Sequence, residues 1–191
     1  MTFNHLVYLV RSDFHRYMGK PYLKHVIKHW FVTPGVKYSF YMRLCSYLRS
    51  KPLKAFGLFF FFRIVLQHYS IKFGIDIPDT TKIESGLYIG HFGGIVVNSR
   101  SILGKNCNIS HGVTLGQLNR GDRAGCPVIG DNVFIGPGAK ILGHIHIGDN
   151  AAIGANSVVM TDIPSEAVVV GSPGKVISNE GSEGYIHRID Y

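Results

Sequence analysis

The sequence predicts a mainly β fold, a parallel β-helix of six-residue repeats preceded by an α-helical region. Three observations predict it. Aliphatic residues recur every six positions between Ile83 and Val159. Before about Phe73 the apolar spacing is helical instead. The charge also splits: residues 1–74 hold twelve Lys/Arg against one acid, Asp13, a net +11, while the remainder holds eight against eleven, a net −3. That asymmetry suggests two regions with different partners.

In the first region, YLKHVIKHWF and KYSFYMRLCSYLRS place apolar and basic residues three and four apart, the period of a helix face. TPG (Thr33 to Gly35) and SKP (Ser50 to Pro52) break the pattern, so several short helices joined by tight turns are expected. GLFFFFRIVLQHY is the most apolar stretch. It is shorter than the roughly 20 residues of a spanning helix, and Arg63 interrupts it. It reads as a buried helix. The alternative is peripheral contact with an anionic membrane surface, because aromatic residues are interleaved with Lys and Arg.

In the second region, Ile83 and Ile89 are followed, after a two-residue slip, by Val97, Leu103, Ile109 and Leu115. After a longer interruption come Ile129, Ile135, Ile141, Ile147, Ile153 and Val159. Glycine often follows the aliphatic residue, and a second small or apolar residue stands four positions after it, as at Cys107, Val113, Val133, Ala139, Ile145, Ala151 and Ser157. Neither a helix nor an alternating strand keeps a six-residue beat, whereas a β-helix does. Each repeat supplies a short strand and a turn, with glycine, Asn or Asp in the turn. One coil cannot bury its own interior, so several must stack.

Hydrophobic residues at 46% and charged residues at 17% exclude a disordered chain. Cys45, Cys107 and Cys126 form no CxxC pair, which argues against a zinc ribbon or a disulfide framework and for a reducing, cytoplasmic setting. MTFNHLVYLVRSDFHRY lacks the pattern of a secretory signal. No zinc finger or RNA-binding motif accompanies the basic residues, so nucleic acid is not an expected partner.

KNCNISHGVTLGQ, PVIGDNVFIGPGAKILGHIHIGDNAAIGANSVVMTDIP and VVVGSPGKVI resemble the hexapeptide acyltransferases. They are most similar to the serine acetyltransferase branch and its relatives in exopolysaccharide and capsule clusters. The resemblance covers about residues 75–177. It implies a left-handed coil, an exception to the usual right-handed crossover. It also implies a homotrimer with active sites in clefts between subunits, and acetyl-CoA as donor. The expected organisation is a basic helical region at 1–74, the β-helix at 75–177 with a loop at 117–127, and a tail at 178–191. That tail is expected to be mobile or to pack on a neighbouring subunit.

Acetyl transfer to a hydroxyl needs a base near neutrality, a group that holds the base in one tautomer, and donors for the oxyanion. By its residues alone, His91 in YIGHFGGIVV is either a turn residue or a base. The resemblance implies the base, with an aspartate fifteen residues earlier, and Asp76 stands there. His111, in SHGVTLG, matches a family histidine and either contacts the acceptor or serves a turn. The break in the beat at QLNRGDRAGC implies a loop on the binding face, where Arg120 and Arg123 either hold an anionic group or are simply solvated. By position the resemblance assigns Gly136, Gly154 and Ala155 to the pantetheine arm and Lys175 to a CoA phosphate. The same glycines also serve the turns. His144 and His146 read as surface or subunit-contact residues, and no metal is expected.

Two departures bear on the acceptor. The serine enzymes carry an aspartate directly before the base, where Gly90 stands here. They also carry a loop histidine in an Arg-His-Pro run, where the chain reads DRAGCP with Cys126 before Pro127. Losing both would remove charge-assisted bonds worth about 1.5–3 kcal/mol each. The expectation is therefore an O-acetyltransferase acting on a sugar hydroxyl of a surface polysaccharide or its lipid-linked precursor, cytoplasmic and peripheral at the inner membrane face. The alternatives are a serine acetyltransferase of cysteine synthesis, a zinc protein of the γ-carbonic anhydrase kind using His91, His111 and His144, and a non-catalytic scaffold.

Overall fold

The six-residue beat becomes a stack of triangular coils in the computed structural model, which describes residues 1–19, 23–52 and 56–191. Lys20 and Lys54, two of the basic residues counted above, lie outside the described residues. Three sheets form the three walls. The first runs β1 (Ile75–Asp76), β4 (Ile95–Val97), β7 (Thr114–Gly116), β10 (Lys140–Leu142), β13 (Val158–Val159). The second runs β2 (Lys82–Ile83), β5 (Ile102–Leu103), β8 (Val128–Ile129), β11 (His146–Ile147). The third runs β3 (Tyr88–Ile89), β6 (Asn108–Ile109), β9 (Phe134–Ile135), β12 (Ala152–Ile153), β14 (Val168–Val170), and ends on β15 (Lys175–Ser178). All pairs are parallel except the last, in which β15 turns back antiparallel on β14. Up to β13, neighbours within a sheet are three strands apart in sequence, as a coil of three strands requires; at the end of the third sheet β12 pairs with β14 and β14 with β15.

The register stacks like on like: Ile83 on Leu103, Leu103 on Ile129, Ile129 on Ile147. All twelve repeat positions are buried, and so are the seven at the fourth position after them. The core is therefore a column of side chains drawn from every coil. Two columns hold the corners. At one, Asn106, Asn132 and Asn150 adopt φ of 57°, 55° and 57°. Each passes a side-chain amide hydrogen to the next coil, Asn106 to Asn132 at 2.9 Å, Asn132 to Asn150 at 2.9 Å, and Asn150 to Glu166 Oε1 at 2.6 Å. Asparagine tolerates the left-handed backbone region, so one residue type serves turn and ladder together.

Four helices precede the coils: α1 (Phe3–Met18), α2 (Leu23–Val32), α3 (Pro34–Arg49) and α4 (Phe56–Phe73). Thr2 caps α1 by accepting from His5 N at 3.2 Å, and Pro34 opens α3 after Thr33. The predicted breaks at TPG and SKP fall at the two ends of α3. The helices close the open end of the solenoid. Tyr17 Oη accepts from Ile89 N at 2.8 Å, and Tyr38 Oη accepts from Ile77 N at 2.9 Å. Arg43 donates to Ile83 O and Glu84 O at 2.5 and 2.6 Å while its guanidinium holds Asp13 at 3.0 Å. The first coil's unpaired backbone groups thus find partners in helical side chains, as an exposed sheet edge needs. Gly35 permits the close approach, since a Cβ there would lie 2.5 Å from Ile89 O.

Three expectations change here. The positive charge of the helical region is partly structural: Arg16 and Arg43 are buried, and Arg49 holds the buried Asp79 at 2.8 Å. The apolar stretch in α4 is buried on one face only. Leu66 and Phe73 are inside, whereas Phe61, Ile64 and Ile71 are 59%, 69% and 76% exposed. The tail is also neither loose nor extended away from its own chain. Tyr185 stacks on Phe134 at 4.3 Å, Ser182 donates to Asn132 O at 2.6 Å, and Tyr191 donates to Asn106 at 2.8 Å. Aromatic burial and the ladder's spare acceptors draw it back down the third sheet to α1.

Candidate active site

His91 occupies the corner between β3 and β4, exposed to solvent. One coil on, the equivalent corner holds His111, and the two rings meet edge to face with centroids 6.0 Å apart. The corner can turn this tightly because Gly94 and Gly112 take φ of 65° and 71°, and an added Cβ on Gly94 would meet Gly112 at 3.5 Å. Beside His91 opens a cavity of about 630 Å³, lined among others by Arg16, Tyr88, Asn108, Tyr185 and Arg188. α1 and the tail thus build one wall, and the third sheet the other. Burial lowers the pKa of the Arg16 guanidinium from its ordinary value.

Asp76 is exposed on β1, with Val96 of β4 beside it in register. Among the described residues no hydrogen bond or ion pair joins Asp76 to His91. Gly74, two residues before Asp76, lies against Gly93 and Gly94, two and three residues after His91. The next two corners of the same column hold Gly136 to Gly138 and Gly154 to Asn156, and the fourth step reaches the turn before Lys175. Four coil steps span about 19 Å at the usual strand spacing. The corners from His91 to the turn before Lys175 therefore stack along one edge. Gly136 and Gly154 have a structural reason to be glycine, since an added Cβ would lie 2.8 Å from Ile153 O and from Val170 Cγ1 respectively. Ala155 is exposed on the edge, and so is Lys175.

The loop lies elsewhere. It leaves β7 and enters β8, at a different corner from His91, pinned by the Leu118–Gly125 bridge. Arg123 pairs with Asp162 at 3.0 Å and its carbonyl accepts from His144 N at 2.9 Å. Arg120 is exposed. His144 and His146 sit at this second corner too, rings 5.6 Å apart, which separates His144 from the His91–His111 pair within a chain. Among the described residues no cluster of three metal-binding side chains forms.

The comparisons with known proteins agree with this architecture. Residues 126–160 match the family model described as bacterial transferase hexapeptide (six repeats). A serine acetyltransferase of Synechococcus elongatus is 42% identical over 118 residues, 61% of this chain and 48% of that protein. One from Staphylococcus epidermidis is 43% identical over 119 residues, 62% of this chain and 56% of that protein. The crystal structure of the Brucella abortus serine acetyltransferase superposes with a TM-score of 0.78 at 30% identity, over 94% of this chain and 71% of that one. That of Neisseria gonorrhoeae in complex with serine gives 0.75 at 33%, over 92% and 70%. This chain belongs to the serine acetyltransferase-like hexapeptide acyltransferases. It spans about half the length of the curated relatives it matches.

Family membership corrects the expected acceptor. These relatives and structural neighbours are serine acetyltransferases, and none points to a capsule or exopolysaccharide enzyme. Gly90 and Cys126 remove two family contacts, but a missing contact names no new acceptor. The charge it carried can come from another part of the chain. Arg16, Tyr88, Asn108 and the tail residues His187 and Arg188 were not legible as site residues. Tyr88 and Asn108 stand 3 and 17 positions from His91, but Arg16, His187 and Arg188 lie 75 to 97 positions away, and no short motif links them.

Proposed function

We propose that the chain transfers acetyl from acetyl-CoA to the hydroxyl of serine. The observation that carries this reading is the exposed His91–His111 pair beside a cavity, at the head of a glycine-lined edge, in a chain whose relatives are serine acetyltransferases. A Brucella abortus relative is known in complex with coenzyme A, which supports the same donor here. His91 accepts the proton of the serine hydroxyl as its oxygen attacks the thioester carbonyl. The tetrahedral oxyanion collapses, the C–S bond breaks, and the proton passes from His91 to the departing thiolate. Asp76 orients the imidazole and balances its charge while it is protonated. His111 contacts the acceptor. Gly136, Gly154 and Ala155 flank the pantetheine arm and Lys175 meets a phosphate. In a homotrimer the loop of one copy, with Arg120 and Arg123, faces the His91 corner of its neighbour. Thiol release from acetyl-CoA should depend on L-serine, and a purified protein that gives none with serine would end this reading.

For the helical region we propose peripheral contact with an anionic surface. Phe31, Phe61, Ile64 and Ile71 are exposed, Lys37 lies over the Phe31 ring and Lys72 follows Ile71, and the region's one acid, Asp13, is buried against Arg43. No helix among the described residues is long and apolar enough to cross a membrane. Co-sedimentation with vesicles containing phosphatidylglycerol, absent with phosphatidylcholine alone, is the expected result.

A further inference from the structure

The wall of the cavity beside His91 contains buried positive charge with no carboxylate against it among the described residues. Arg16 is 4% exposed, and its guanidinium donates only to neutral oxygens, His187 O at 2.7 Å, Gly86 O at 3.0 Å and Asn108 Oδ1 at 2.6 Å. Asp13, the acid on the same helix, is held by Arg43. An unpaired buried cation is costly, and proteins that keep one usually give it an anion. A second cation faces the same space from the tail. Arg188 donates from Nη1 to the Tyr17 carbonyl near the end of α1, which fixes the side chain and leaves Nε and Nη2 without a bond among the described residues. Its backbone sits at φ 56°, a region arginine rarely occupies. Among the described residues, the lining holds two arginines and two histidines, His91 and His187, and no acid. Asp190, the nearest acid in the tail, is bound to His15 at 2.9 Å.

We infer that this cavity is the anion subsite of the acceptor: a small hydroxy acid is held by its carboxylate on Arg188, in the field of Arg16, with its hydroxyl turned toward His91. The inference rests on the acetyl-transfer reading and assigns the acceptor's carboxylate to an arginine of the chain's own tail, so neutral alcohols are disfavoured. It also answers the loss of the loop contact. The chain's own tail brings positive charge to the cavity where the loop histidine is replaced by Cys126.

The test compares L-serine with serinamide, which lacks the carboxylate, in wild type, Arg188→Gln and Arg188→Lys, with circular dichroism to check the fold. Wild type is expected to favour L-serine by about 10-fold or more in kcat/KM. Arg188→Gln should raise KM for serine about 10–100-fold, the span of a lost charge-assisted bond, and leave KM for acetyl-CoA unchanged. Arg188→Lys should recover part of it. Equal serine kinetics in wild type and a folded Arg188→Gln would overturn the subsite and leave the serine reading standing. If wild type acetylates neither compound, the serine reading fails alone, and the subsite is then read from binding. A rise in melting temperature with L-glycerate that Arg188→Gln abolishes supports it, and no rise overturns it.

Discussion

His91 and His111 meet edge to face at 6.0 Å although twenty residues separate them, because one turn of the coil returns the chain to the same corner. Their roles should separate kinetically. His91→Ala is expected to lower kcat about 10²–10⁴-fold, the usual worth of a general base. His111→Ala should act mainly on KM for the acceptor. Both side chains are exposed, so circular dichroism and melting should match wild type.

The asparagine column should be dissectible by two substitutions at one position. Asn132→Ala loses the ladder bonds and forces alanine into a left-handed backbone region, so the ladder loss adds to about 1–2 kcal/mol of strain. Asn132→Gly loses the bonds but not the backbone freedom. Urea denaturation should rank wild type above Asn132→Gly and Asn132→Gly above Asn132→Ala. Equal midpoints for the two variants would mean the turn imposes no strain.

Asp162 links the loop to the β-helix and should do so in a pH-dependent way. The backbone N–H of His146 and then the Arg123 guanidinium hold its carboxyl below the ordinary carboxylate range. A lowered folded pKa means that the charged form favours the fold. The contribution is complete above the ordinary value of 3.8 and is lost as pH falls through the folded value. The pair is exposed, so it is worth less than about 1 kcal/mol. Asp162→Asn should lower the melting temperature slightly at pH 7, speed protease cleavage within residues 117–127, and differ less from wild type below pH 3.8.

The thiols of Cys45 and Cys107 should be inert in the folded protein. Both are buried, and burial pushes each thiol pKa up to about 12, which leaves almost no thiolate at pH 8. Ellman's reagent should modify neither position until the protein is unfolded in guanidinium.

Much of the β-helix was legible because its cause is local and repeated. A six-residue beat forces each aliphatic residue inward, and every coil restates the instruction, so the twelve core positions from Ile83 to Val159 could be named from the sequence. The catalytic roles of His91 and Asp76 rest on the resemblance alone, since a histidine between glycines is chemically ambiguous. The acceptor was misread from Gly90 and Cys126, two positions judged without the rest of the pocket.

The sequence by itself determined the period, the interior column, the turn residues and the point near Gly74 where helices give way to coils. Tertiary structure alone decided what stands around His91. α1 and the tail reach the cavity from opposite ends of the chain through single contacts such as Arg16 to His187 O and Arg188 to Tyr17 O. Those contacts have no period and no fixed spacing. They exist because the helices had to cap the first coil and the tail had aromatic surface to bury, and folding then placed their charges beside the histidine.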